Sequence, residues 1–419
     1  MLNFYQLPQG VGVSINDYTG FTSINEAMAK DMDTNVYLLD TLPMDKSQCC
    51  GLVHQWSHVG EPESLKYLQL KSLPTQPKLY PSWIKSKMES KQFFSVNTSH
   101  PRWMTRLSMN HKSKKKVHIA GLGDVGGTLL TGLRLLGGDT IEAIGIYDLT
   151  PAKMQRWEYE GNQIASVNYH LYPPIETLRE DNLFNCDVFV FCIAKHVPEL
   201  SVKNTDVRMA QLEANGAIIA HYARLARQRG FQGLFAVVSD PVDHLCKVAY
   251  QASNINEQGA FDGKGLFPEQ VKGYGLGVMN ARAHFYASRD DRFSTFLQEG
   301  RVFGPHGRGL VVANSMVNYD PHLSDALTEQ TVTANLAIRE IGFKPYIAPA
   351  LSSGALSILA TLSGDWHYST IFIGGVYFGC LNRTHHMTQE WELYDFPGQL
   401  RTRLEKTYQE LEAFSWLSS

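Results

Sequence analysis

Three glycines have the spacing of a phosphate-binding turn. Gly121, Gly123 and Gly126 follow a short apolar run and precede an apolar pattern of helical period. In such a strand–turn–helix unit the first glycine permits the turn, the second lets a pyrophosphate approach the backbone, and the third lets helix and strand pack closely. The N–H groups and the dipole at the helix start favour a bound phosphate. The predicted nucleotide contacts are Gly121, Gly123, Asp124, Val125 and Gly126.

An acidic residue stands at the end of the next apolar run. Asp148 follows residues 144–147, and a carboxylate at this distance from the glycine turn can accept hydrogen bonds from both ribose hydroxyls of NAD. It would repel the 2′-phosphate of NADP, although Lys153 and Arg156 lie nearby. The pattern favours NAD as the cofactor. A glycine-rich turn without a ligand is the alternative.

Alternating strand and helix patterns from residue 116 onward predict a parallel sheet with crossover helices. The apolar runs 187–194 and 234–238 are typical of buried parallel strands. Ligands bind at the carboxyl ends of the strands in open parallel sheets, so residues at these ends should share one rim. The residues predicted at this rim are Gly121, Asp148, Ala194 and Ser239, all as cofactor contacts.

Further motifs follow the glycine turn in a recognisable order. They are residues 187–194, 208–215, 239–243, 273–282, 304–307 and 374–379. Together they resemble the lactate/malate dehydrogenase family over residues 116 to about 418, as a divergent member. The resemblance implies an α/β fold with a Rossmann-type doubly wound parallel sheet plus an α+β substrate domain. It divides the chain into an N-terminal extension (1–115), an NAD-binding domain (116–265) and a substrate/catalytic domain (266–419).

The resemblance assigns catalytic roles to residues whose chemistry suits them. His306 would be the acid/base that serves a substrate carbonyl, a common role of an imidazole. Arg282 would clamp a carboxylate through two parallel hydrogen bonds. Arg208, on a closing loop, would polarise the carbonyl and exclude water. Without its neighbours, each of them would be interpreted as a turn or surface residue.

The sequence departs from the family pattern at three places. The family's aspartate, three residues before the carboxylate-binding arginine, is Met279 here, and methionine cannot hold an imidazole tautomer. The family's asparagine in Ser-Asn-Pro is Asp240. The loop after Ala194 is longer than usual and begins with Lys195 and His196, so the substrate-discriminating position is not assigned.

Asp240 leads to three hypotheses. It supplies the missing carboxylate to His306 from the neighbouring strand end; or it faces a cationic substrate such as an amino or imino acid; or the site has lost catalysis and serves as a nucleotide-binding or regulatory site. The favoured function is hydride transfer between NAD and a small 2-hydroxy or 2-keto carboxylate, or a related carbonyl or imine compound. The small residues of 351–355 suggest a substrate-pocket wall with Ser353 as a substrate contact, and close helix packing explains them equally well.

The composition is typical of a globular, cytoplasmic protein. The chain has 419 residues with a net charge of −3, which gives no reason to expect nucleic-acid binding. No apolar stretch approaches the length of a membrane span, and the N-terminus lacks a signal-peptide pattern. The six cysteines have no C-x-x-C spacing and are expected to be reduced. The basic run at 112–116 is interpreted as a solvated linker.

The first 115 residues give the weakest patterns. Apolar segments such as 35–39 could be strands or helical turns. His54, His58 and the pair 49–50 match no zinc-ligand spacing, so no metal is predicted. This region could cover a subunit interface, lie over the active site or bind a partner. By resemblance, the expected partners are a small carboxylate substrate and further copies of the chain, as a homodimer or homotetramer.

Overall fold

The computed structural model describes residues 2–70, 77–108, 112–168, 171–195, 206–385 and 388–416, without the side chains of 206–210 and 385. Within these ranges the strands form a six-stranded sheet, a nine-stranded sheet and a two-stranded ribbon. None of the helices in the described ranges is both long enough and apolar enough to cross a membrane.

The N-terminal region folds around the six-stranded sheet, in the order β3-β1-β2-β4-β6-β5. Its strands are β1 (Asn3–Leu7), β2 (Gly10–Ser14), β3 (Thr22–Ile24), β4 (Asn35–Asp40), β5 (Cys50–Leu52) and β6 (Phe93–Asn97), and its helices are α1 (Glu26–Asp31), α2 (Ser82–Glu89) and α3 (Trp103–Leu107). Strands β2, β4 and β6 are parallel, and the others pair antiparallel. The segment 35–39, which the sequence left open, is therefore a strand.

The rest of the chain is organised around the nine-stranded sheet, in the order β17-β16-β15-β12-β11-β10-β7-β8-β9. Its strands are β7 (Lys115–Ala120), β8 (Ile141–Tyr147), β9 (Ile175–Thr177), β10 (Val188–Phe191), β11 (Leu234–Val237), β12 (Val271–Gly273), β15 (His367–Ile373), β16 (Val376–His385) and β17 (Thr388–Trp391). The ribbon consists of β13 (Arg301–Phe303) and β14 (Val311–Ala313). Strands β7 to β12 are parallel, whereas β15, β16 and β17 continue the sheet antiparallel.

Helices cover both faces of the parallel strands. The helices of this part of the chain are α4 (Asp124–Leu136), α5 (Pro151–Asn162), α6 (Asp206–Gln228), α7 (Val242–Ser253), α8 (Leu276–Ala287), α9 (Phe296–Glu299), α10 (Pro321–Glu340), α11 (Leu356–Ser363) and α12 (Gly398–Glu412). One face packs against α6 and α7 through residues such as Phe189, Ile219 and Leu245. The other packs against α4 and α11 through residues such as Ile119, Leu129 and Ile358. This arrangement confirms the predicted doubly wound α/β fold.

The two predicted domain boundaries can be compared with the strands of the nine-stranded sheet. Residue 115 already belongs to β7, and the division at residues 265 and 266 precedes β12, which joins the same sheet as the earlier parallel strands. The second boundary therefore separates two parts of one continuous sheet, and the three-part division of the chain stays a proposal.

A buried ion pair joins the N-terminal region to the body of the protein. Arg106 donates to Glu269 over 3.0 Å, and both side chains are almost fully buried. The same carboxylate accepts hydrogen bonds from the backbone N–H groups of Cys49 and Cys50. Because a buried charge is costly without partners, these bonds make the docking geometry of the region specific.

Candidate active site at the carboxyl edge of the sheet

A cleft of about 610 Å³ lies where strands β7, β8, β10 and β11 end. The predicted residues that line it are Gly121, Gly123, Asp124, Val125, Gly126, Asp148, Ala194, Ser239, Asp240, Arg282 and His306. Residues from positions 121 to 306 of the chain thus meet at one rim, as the strand-end pattern indicates.

The glycine turn has the shape that its spacing predicts. Gly121 has φ +97°, and a Cβ there would approach the backbone of Cys192 at 2.8 Å. A Cβ at Gly126 would overlap the carbonyl oxygen of Gly121. A Cβ at Gly123, the residue that caps α4, would meet nothing within 4 Å. The turn is therefore closely packed at its first and third glycines and open at its second, in front of the first N–H groups of α4.

Asp148 is held beside this turn by several donors. Its carboxylate accepts hydrogen bonds from the backbone N–H of Leu122 at 2.9 Å and of Thr150 at 3.0 Å, and it forms an ion pair with Lys153 at 3.0 Å. Burial alone would raise the pKa of Asp148, but the bonds from Leu122, Lys153 and Thr150 outweigh it and lower the pKa below its ordinary value. A negative charge therefore stands at the end of β8.

His306 lies in the loop after β13 and is fixed by two carboxylates. Its ring Nδ1 lies 2.8 Å from Oδ1 of Asp240, and its backbone N–H donates to Oδ2 of Asp243 at 2.8 Å. The other oxygen of Asp243 accepts from the Thr370 hydroxyl at 2.6 Å. Since Asp240 engages Nδ1, the second ring nitrogen, Nε2, is the one that can serve a ligand.

Asp243 is a positioning residue that the sequence pattern did not single out. It is almost fully buried, and burial raises its pKa, although the bonds from Thr370 and the His306 N–H act in the opposite direction. Its place in the Ser-Asp-Pro-Val-Asp stretch, in the first turn of α7, was the available signal.

Met279 and Arg282 lie one turn apart on α8. Met279 is 2% exposed, and its sulfur is 3.9 Å from a guanidinium nitrogen of Arg282. Burial lowers the pKa of Arg282, while Tyr286 and then Asp240 act to raise it. Among the described residues Arg282 forms no ion pair within 4 Å, and it lines the cleft, so its guanidinium can bind an external carboxylate.

Two polar side chains hold the ends of β10 and β11 together. Asn215 on α6 is fully buried; it accepts from the backbone N–H of Lys195 at 2.9 Å and donates to the backbone oxygen of Asp240 at 2.8 Å. The Ser239 hydroxyl donates to the backbone oxygen of Ile193 at 2.8 Å. These bonds set the position of Asp240 relative to the start of the long loop. The sequence includes Asn215 as the last residue of the motif 208–215, but its pattern assigns no role to this side chain.

Ser353 requires a correction. It is 2% exposed, its hydroxyl donates to the backbone oxygen of Gly275 at 2.7 Å, and it accepts from the N–H of Val278 at 2.8 Å. The π-helical turn Pro349–Ala355 packs against the start of α8 through this hydroxyl. Of the two explanations for its small residues, close packing applies to Ser353, and the predicted substrate contact does not.

Two predicted features of the long loop lie outside the described structure. Arg208 belongs to the first turn of α6, but its side chain is not among those described, and His196 precedes the helix in a range that is not described. The loop-arginine role of Arg208 therefore remains a prediction.

The wall of the cleft opposite the glycine turn comes from α10 and the loop after it. Arg339, Tyr346 and Lys344 line this wall, and Lys344 forms an ion pair with Asp124 at 3.0 Å across the mouth of the cleft. These residues were missed from the sequence, because the apolar pattern of α10 is explained by core packing alone. Across the described ranges, no group of three or more His, Cys, Asp or Glu side chains could hold a metal ion.

Sequence comparison identifies no relative: no protein-family model and no curated protein matches the chain. Solved structures do match it. The minor L-lactate dehydrogenase of Enterococcus mundtii superposes with a TM-score of 0.58 at 16% identity, over 72% of this chain and 98% of that chain. The malate dehydrogenases of Picrophilus torridus and Plasmodium falciparum give TM-scores of 0.55 and 0.56 at 17% and 13% identity, over 71% of this chain and 95% and 96% of theirs.

These matches cover nearly the whole of each solved structure, and they leave more than a quarter of this chain unmatched. At such low identity they establish the fold alone. The chain has the fold of lactate and malate dehydrogenases, with additional structure beyond it.

Proposed function

We propose that this protein is an NAD-dependent oxidoreductase acting on a small 2-hydroxy or 2-keto carboxylate. The observation that carries the proposal is the 2.8 Å contact between Asp240 and Nδ1 of His306, in a cleft that also holds the glycine turn and Arg282. Asp240, in the loop after β11, would supply the carboxylate that Met279 cannot provide.

The residues present fit a dinucleotide. The open space at Gly123 and the N-terminus of α4 would hold a pyrophosphate, and Asp148 would accept the ribose hydroxyls. When bound, NAD supplies the hydride acceptor and NADH the donor. We propose NAD rather than NADP because Asp148 would repel a 2′-phosphate; its ion pair with Lys153, which places a cation beside the ribose position, weakens this preference.

Three side chains of the cleft would have different roles toward the substrate. Arg282 would bind the carboxylate in two parallel hydrogen bonds, which orients the neighbouring carbon. Nε2 of His306 would take the hydroxyl proton as the carbonyl forms and return it in the reverse direction. Asp240 would keep the proton of the neutral ring on Nδ1 and stabilise the imidazolium.

The second candidate substrate class is a cationic one, such as an imino acid. It is less favoured because the carboxylate of Asp240 already contacts His306. The solved structures with this fold are named as lactate and malate dehydrogenases, which supports a 2-hydroxy acid. A homodimer or homotetramer is part of the proposal.

The test is a titration of the protein with NADH, followed by a panel of 2-keto acids with and without ammonia, monitored by the absorbance of the reduced cofactor. The proposal predicts NADH binding and turnover of at least one plain keto acid. Turnover that requires ammonia would establish the imine substrate instead. Binding without turnover of any member would favour a regulatory protein.

A further inference from the structure

A second cavity, of about 500 Å³, lies at the edge of the sheet opposite the cleft. It is formed where β7, β10, β11 and β12 begin, and we call it the amino-edge cavity. Residues of α11, of β16 and β17, and Arg106 of the N-terminal region complete its wall. Nothing in the proposed reaction uses this part of the molecule.

A buried lysine lines this cavity. Lys272, in the middle of β12, is 1% exposed, and its amine has no hydrogen-bond partner among the described residues. Burial lowers the pKa of Lys272 to about 7, although the nearby Cys380 acts in the opposite direction. An enclosed amine without a partner destabilises the fold, and an anion would offset that cost.

The charges around the cavity are unbalanced. The cationic lining residues are Arg106, Lys112, Lys115, Arg229 and Lys272, and the anionic ones are Asp187 and Glu269. Each carboxylate already has a cation, since Lys112 lies 2.8 Å from Asp187 and Arg106 lies 3.0 Å from Glu269. Three cations therefore remain without an ion pair among the described residues. They are Lys115, Arg229 and Lys272.

Two neutral oxygens of the lining also lack a hydrogen-bond partner among the described residues. The side-chain oxygens of Gln232 and Gln389 are buried and accept no hydrogen bond from any described residue. An amide oxygen accepts from a hydroxyl but not from a deprotonated acid group. Since Leu234 and Leu362 supply an apolar part of the wall, the lining is suited to an organic molecule with an acid group and a hydroxyl.

We propose that the amino-edge cavity is a second ligand site, which binds a small hydroxylated organic anion of the carboxylate or phosphate class through Lys272, Lys115 and Arg229. A site there would be separate from the cleft, because the parallel strands lie between them. Its ligand would contact both the body of the protein and, at Arg106, the N-terminal region.

The experiment is calorimetric titration of the full chain with two probes, citrate and glycerol 3-phosphate, which distinguish the two acid groups. We expect at least one probe to bind, and Lys272→Met to weaken it by about tenfold or more, the loss typical of a hydrogen bond to a charged group. Lys30→Met, an exposed lysine of α1, is the matched control and should keep the wild-type affinity.

Several outcomes would overturn the proposal. The first is that neither probe binds. The second is that Lys272→Met binds the probe with the wild-type affinity. The third is that Lys344→Met, rather than Lys272→Met, weakens binding, which would place the anion in the cleft. Circular dichroism checks that each variant is folded. If Lys272→Met does not fold, the double variant Lys115→Met, Arg229→Met decides, with the same tenfold criterion.

Discussion

The two edges of the parallel sheet differ in how their charged side chains are paired. In the carboxyl-edge cleft every carboxylate has a partner: Asp240 contacts His306, Asp148 contacts Lys153 and Asp124 contacts Lys344. In the amino-edge cavity three cations have no ion pair among the described residues, and one of them is buried. Arg282 in the cleft likewise has no ion pair among the described residues, but there the paired carboxylates fix the groups around it. The buried amine of Lys272 in the cavity has no hydrogen-bond partner among the described residues.

The largest effect should come from the acid/base. We expect His306→Gln to lower kcat by about 10²–10⁴-fold, because glutamine keeps polar contacts but transfers no proton. NADH affinity should stay unchanged, which fluorescence titration would check. His284→Gln, at the partly exposed end of α8, is the matched control. Turnover near the wild-type level in His306→Gln would remove the histidine from the mechanism.

Arg282 gives the next largest effect. Arg282→Lys should lower kcat/KM for a keto acid by about 10–100-fold, because an ammonium cannot make the two parallel hydrogen bonds of a guanidinium. Steady-state kinetics should show most of the loss in KM. The control is Arg292→Lys, whose side chain is exposed and pairs with Asp290 away from the cleft. An unchanged KM in Arg282→Lys would mean that another group binds the carboxylate.

The buried amine of Lys272 in the amino-edge cavity should make the free energy of unfolding depend on pH. Folded Lys272 releases its proton near pH 7, whereas an ordinary lysine holds it to about pH 10.5. Between these values the unfolded chain binds more protons, so this residue makes the free energy of unfolding rise with pH, by up to about 1.4 kcal/mol per pH unit. In urea denaturation at several pH values, Lys272→Met should lack this rise of the free energy of unfolding with pH. The same slope in both proteins would contradict a buried, partnerless amine.

Glu63 should give a slope of opposite sign at lower pH. Its half-buried carboxylate accepts from the N–H groups of Gln48 and Gly374, and desolvation raises its pKa to about 8 despite these bonds. The folded state keeps a proton that the unfolded chain releases near pH 4.5, so this residue makes stability fall as pH rises from about 4.5 to 8. Glu63→Gln should flatten that part of the curve in urea denaturation. An unchanged curve would show that Glu63 is ionised in the folded protein.

Several residues of the cleft could be predicted from the sequence because each belongs to a local motif at a strand end. Gly121, Asp148 and Asp240 follow recognisable apolar strands, and parallel strands bring their carboxyl ends together whatever the loops between them do. His306 and Arg282 were accessible only through resemblance to a family.

The rest depends on contacts that no local pattern encodes. Ser353 was misassigned because a run of small residues is equally typical of a pocket wall and of close helix packing. The amino-edge cavity combines residues from Arg106 to Gln389, and a lysine in the three-residue strand β12 gives no sign of its burial. The sheet of the N-terminal region was unassigned because its strands are short and, after the hairpin of β1 and β2, are separated by longer connections.

The most direct test of the central claim concerns the carboxylate that contacts His306. Asp240→Asn keeps the size of the side chain but removes its charge, so it should lower kcat for keto-acid reduction by about 10²–10⁴-fold while NADH affinity is retained. Asp124→Asn, a cleft carboxylate paired with Lys344 rather than with the imidazole, is the comparison for an equal change of charge. If Asp240→Asn turns over keto acids at the wild-type rate, Asp240 does not replace the missing aspartate and the proposed mechanism is wrong.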